Sequence, residues 1–217
     1  MTYCPRVTRP MAIALLALPL AFACIGCAGG TTNLTVTSIQ NHQTYQQPFT
    51  NAYAGRSEQG DFDVVAVKDG PARGGAATVR HVMHVRVLWK PMTGTKLDHP
   101  TATNATIDWY VFDASNPSAL VAYSGAGFVS VQSSGGMATL DIRNATLKPV
   151  TREGGMVDPI GPAKVLGTVV ARTGRTDQVR EILAQTREIV AQANTAAREA
   201  ARTAAAREAS SRAPVEP

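Results

Sequence analysis

Cysteine is confined to one end of this chain: Cys4, Cys24 and Cys27 are its three cysteines, and residues 28–217 contain none. That excludes a disulfide framework, cysteine-ligated zinc and a thiol nucleophile from the globular part. Histidine is also scarce, limited to His42, His81, His84 and His99. His81 and His84 stand three apart in a strand-like pattern, so they face opposite sides, whereas two ligands sharing a side would stand two apart. We expect no metal site and no cofactor. No G-x-S-x-G elbow, H-E-x-x-H pair, phosphate loop or dinucleotide fingerprint is present, and the glycine pairs Gly74-Gly75 and Gly154-Gly155 read as turns. Blocks of Lys and Arg are missing too. The formal charge of +5 includes Arg6 and Arg9 of the N-terminal segment, and the mild excess that remains gives no reason to expect a nucleic-acid partner.

What the sequence does have is an address. Arg6 and Arg9 precede an apolar run from Met11 to Phe22, too short for a membrane-spanning helix, which needs roughly 20 residues, and of the right length for a secretory signal. The run ends in Cys24-Ile25-Gly26-Cys27. This resembles the lipobox of bacterial lipoproteins, an aliphatic residue, a small residue, Gly or Ala, then Cys. The resemblance implies that Cys27 becomes the first mature residue and carries the lipid, with Cys24 as the other register. It further implies a cell-envelope protein attached to a membrane through that lipid. An A-x-A site at Ala21-Phe22-Ala23 is the alternative, giving a free secreted protein. Residues 1–26 are thus expected to be a signal peptide and 27–33 a lipidated cysteine with a tether.

Residues 34–172 carry period-two alternation broken by turn residues. About eight short strands are expected: 34–37, 61–67, 78–90, 105–112, 119–124, 128–132, 138–147 and 164–172. Met83, Val85, Val87 and Trp89 share one face, with His84 and Arg86 on the other. Ile107, Trp109 and Val111 share a face opposite Asp108 and Tyr110. Gly125-Ala126-Gly127 reads as a hairpin turn, and the near-continuous Val165 to Val170 as a strand buried on both sides. The predicted class is an antiparallel β-sandwich, immunoglobulin-like by default. Composition then shifts to Ala, Arg, Glu and Gln over 173–209, which predicts one long helix capped by Thr176, with Asp177 in its first turn. Its stripe of Val179, Leu183, Val190, Ala193, Ala197, Ala200 and Ala204 weakens to alanine, so the helix should dock near its start and project beyond Asn194, with 210–217 disordered.

The functional candidates are few. Gln40 to Gly60 turns polar and irregular, with Tyr45, Phe49 and Tyr53 at helical spacing but Pro48 removing a backbone donor inside any such helix. Its part from Gln40 to Ser57 reads as a loop. It gathers Tyr45, Phe49, Tyr53 and Arg56 among amide side chains, a set suited to a glycan or a protein partner in the envelope. Asp61 and Asp63 share a face and could serve a carbohydrate hydrolase, which would place two carboxylates about 5–10 Å apart across a cleft. The helix could instead build an assembly subunit by pairing with a second copy. Asn33, Asn104 and Asn144 begin Asn-x-Thr triplets and read as strand-edge residues. The expectation that joins these features is an envelope lipoprotein carrying a β-sheet binding or structural module.

Overall fold

The computed structural model describes residues 32–57, 59–71, 78–88, 103–116, 118–156, 158 and 160–211. Cys24 and Cys27, the tether before Thr32, Gly74-Gly75, Trp89, His99 and the segment from Arg212 onward lie outside the described residues.

The chain is mainly β with one C-terminal helix. Its strands are β1 (Thr32–Ser38), β2 (Thr44–Phe49), β3 (Asn51–Arg56), β4 (Phe62–Pro71), β5 (Thr78–Val87), β6 (Ala105–Asp113), β7 (Leu120–Ser134), β8 (Met137–Glu153) and β9 (Ala163–Arg172), followed by α1 (Thr176–Ser211). Strands β3 to β8 run as an antiparallel meander, and β9 then pairs with β8 along one edge and with β3 at Tyr53↔Arg172 along the other. The sheet thereby closes into a barrel of seven strands, where the alternation had predicted two packed sheets. Alternation is the same in both, since each buries one face of every strand. The first part of β9 uses its free edge for β1, and β2 completes that outer extension.

Two misread segments have identifiable causes. Gln40 to Ser57 is not a loop: it forms the β1–β2 turn and two strands joined at Thr50. Pro48 sits on β2, the outermost strand of the order, where a missing backbone donor costs no ladder bond on the open side. Gly125-Ala126-Gly127 is not a turn either, since β7 runs straight through it. The paired strand β8 comes so close there that a Cβ on Gly125 would lie 1.8 Å from the Thr146 carbonyl oxygen, and one on Gly127 would lie 2.4 Å from that of Asn144. The hairpin comes later, at Gly135 and Gly136, whose φ of 57° and 78° suit a two-residue reversal. β9 is buried on the barrel side only: Val165, Val169 and Ala171 face inward, while Leu166 is 45% exposed.

Side chains fill the barrel. Val64, Met83, Val85, Ile107, Trp109, Tyr123, Leu140, Ile142 and Val169 are among its fully buried lining, and His81, Trp109 and Tyr123 stack in a row with ring centroids 5.8 and 5.3 Å apart. Tyr123 donates its hydroxyl proton to Asp158, which also accepts the backbone N–H groups of Ile160 and Gly161 at 2.9 Å each. That arrangement pins the connection into β9. Asn104, fully buried, both donates to and accepts from the Val129 backbone at 2.8 Å, replacing the ladder at a register shift in β7.

The helix lies outside the barrel. Val179, Thr186 and Ala193 are buried, two turns apart each time, flanked by half-buried Ile182, Leu183, Ile189 and Val190. They cover Val65, Val67, Val82, Phe112 and Leu120 on the outer face of β4 to β7. Thr186 tolerates burial because its hydroxyl bonds the Ile182 carbonyl at 2.7 Å. Docking ends near Ala197, and Ala200 to Glu208 are exposed, consistent with the expected projection. At the start of the helix, Thr176 sits on Gly55, where any Cβ would be 2.7 Å from its Cα. The Thr176 hydroxyl accepts the Arg56 N–H at 3.4 Å, so it ties the helix to β3, and the Arg175 N–H adds a bond to the Ala54 carbonyl at 3.1 Å.

Candidate functional site

Register decides which polar residues meet on the outer face of the barrel. Asp63 lies opposite Arg86, Val65 opposite His84, His84 opposite Asp108, and Asp108 opposite Ser124. Because side chains alternate, these project outward while Val64, Met83, Val85, Ile107 and Trp109 fill the interior. Part of this outward face is apolar and sealed by α1. The neighbouring part is polar, and there helix and sheet leave a cavity of about 200 Å³ lined by His84, Arg86, Thr106, Asp108, Tyr110, Leu183, Thr186 and Arg187.

Its floor is an ion cluster. His84 donates from Nε2 to Asp63 Oδ1 at 2.9 Å, and Arg86 Nε donates to the same oxygen at 3.3 Å. Asp63 is 4% exposed and His84 7%. Burial works to raise the Asp63 pKa, but the bond and charge of His84 and then of Arg86 outweigh it, holding the carboxyl below its ordinary value. Ser124 donates to Asp108 Oδ1 at 2.6 Å. Tyr110 is pushed up, first by burial and then by the charge of Asp108, with Arg187 pulling the other way, so this hydroxyl stays protonated at neutral pH. The row Ser124, Asp108, His84, Asp63 contains the residue types of a hydrolytic triad in the wrong connectivity. The serine hydroxyl is engaged by a carboxylate, while the imidazole turns Nε2 to a different carboxylate.

The residues singled out from sequence do not converge. Tyr45 and Phe49 join the barrel core, the former donating its hydroxyl to Gln43 at 2.6 Å. Tyr53 faces outward and packs beneath the helix, and exposed Arg56 bonds the Gly60 carbonyl at 3.2 Å. Phe49 and Tyr53 do share a crevice of about 30 Å³ with Thr32, Thr50 and Arg172, room for roughly one water. The aromatics are therefore drawn apart by packing. His81 and His84 face opposite sides, as their spacing requires. His81 is depressed to about 4 by burial and by the nearby Lys68 charge. Among the described residues, no group of three or more His, Cys, Asp or Glu could hold a metal ion.

Arg86, Ser124 and Arg187 escaped the sequence reading as site residues. The signal available was that His84, Arg86, Asp108 and Tyr110 all fall on the non-core phase of their strands. What brings them under one helix is cross-strand register and helix docking. No protein-family model, no curated protein and no solved structure matches the chain.

Proposed function

We propose that this protein is a cell-envelope lipoprotein, anchored through Cys27, whose barrel and helix together form a binding module for a small polar ligand. The observation that carries the binding half is that His84 and Arg86 line the cavity under α1 while both bond the buried Asp63 behind them. Placing an ion pair at such an interface stabilises a fold little, because desolvation offsets the attraction, and apolar side chains of similar volume would serve the packing as well or better. An imidazole and a guanidinium kept beside a polar-walled space, with a carboxylate behind them, are better suited to binding than to holding helix to sheet. The anchoring half is supported by the N-terminal apolar run that ends at Cys27, shortly before β1 begins at Thr32.

Asp63 suits a constant negative charge in this role better than a proton donor, which weighs against a glycoside hydrolase built on it. Likewise α1 spends its large apolar side chains on its own barrel, which leaves little for pairing with a second copy. Metabolic labelling with a palmitate analogue tests the anchor. Wild-type protein should carry label and Cys27→Ser should carry none; label persisting on Cys27→Ser would move the anchor elsewhere.

A further inference from the structure

We infer that the cavity under α1 takes a small zwitterion, a molecule of amino-acid size bearing one carboxylate and one ammonium group. The inference rests on reading this cavity as a ligand site. Its charges set the class. The charge of Arg86 is balanced beneath the cavity by Asp63, which it bonds at 3.3 Å. That leaves Arg187, exposed on the helix, and Asp108, on β6, as the opposed charges of the walls. They line one cavity, yet among the described residues neither makes an ion pair.

A cation and an anion that line one polar space without pairing are complementary to a molecule carrying both charges. A simple anion would meet Asp108 and a simple cation Arg187, and like charges brought together in a confined site are rejected. Ser124 fixes Asp108 by donating to Oδ1, leaving Oδ2 for an ammonium group. The Tyr110 hydroxyl can donate to a carboxylate held by Arg187, and Leu183 offers an apolar wall for a small side chain. The size agrees: about 200 Å³ is room for a small amino acid.

The test is calorimetric titration of the full-length protein in detergent micelles at pH 7 with L-alanine, acetate and methylamine. Alanine should bind at least about tenfold more tightly than either single-charge probe, and Arg187→Gln and Asp108→Asn should each weaken it by about tenfold. Arg187 is exposed on the helix, so Arg187→Gln should melt with the wild type and report on binding alone. Acetate binding as tightly as alanine, or alanine binding unchanged in Arg187→Gln, would overturn the zwitterion while leaving a ligand site. Failure of all three probes to bind would overturn the ligand site as well.

Discussion

His81 and His84, three residues apart on β5, face opposite sides of the barrel wall, and their environments make different demands on pH. His81 stacks on Trp109 inside and binds a proton only below about 4, against 6.5 for the same residue in an unfolded chain. Between those values the unfolded state holds more protons, so stability falls as pH drops from 6.5 towards 4. At 1.36 kcal/mol per pH unit the loss is about 3 kcal/mol. His81→Phe, which keeps the stack without the titration, should flatten urea-unfolding stability across that window; an unchanged slope would assign it to other groups. Asp63 has the opposite sign. Its folded pKa is lowered, so its contribution is complete above the ordinary carboxyl value of 3.8 and is lost as pH falls through the lower folded one. Asp63→Asn should cost about 3 kcal/mol at pH 7 by leaving His84 and Arg86 without their anion, and the difference from wild type should narrow towards pH 2.

Several elements owe their form to residues whose usual meaning is something else. Glycine at 125 and 127 commonly signals a turn, but here it is required because the neighbouring strand β8 brings its backbone so close to mid-strand β7 that there is no room for a Cβ. Gly125→Ala should destabilise by about 3 kcal/mol or prevent folding, since backbone and not a flexible side chain must give way, whereas alanine at exposed Ser134 should be nearly neutral in the same thermal melt. Gly55 is the equivalent for the helix. Gly55→Ala should push Thr176 off β3 and speed hydrogen exchange at the Val179 amide, which bonds the Arg175 carbonyl at 3.0 Å, without unfolding the barrel. Strands β4, β5, β6 and β9 and the helix were legible in advance because alternation and composition are local. β2 and β3 were not, because Pro48 is excused only by an edge position that is itself a long-range fact.

At the scale of the whole molecule, local pattern shows that a sheet exists and which side is buried, but not how it shuts. A sandwich and a barrel share the same alternation. The difference lies in pairings such as Tyr53↔Arg172, between residues far apart in sequence. For the same reason Asp63, His84 and Asp108 could each be seen as outward residues while their meeting under Arg187 could not. The helix completes the fold by covering Val65, Val67, Val82, Phe112 and Leu120. A chain ending at Glu199 should therefore melt with the full-length protein. One ending at Arg172 should expose that face, lose on the order of 5 kcal/mol, comparable to the stability of a small domain, and bind a hydrophobic dye.

β9 holds three partners, β8, β1 and β3, and it is the last strand to be made. As the polypeptide lengthens from its amino end, β1 and β3 wait with bare edges until residue 172 has emerged, so no ring exists for most of synthesis. The molecule is sealed by its final strand, so the ring shuts only after almost all of the barrel has been synthesised.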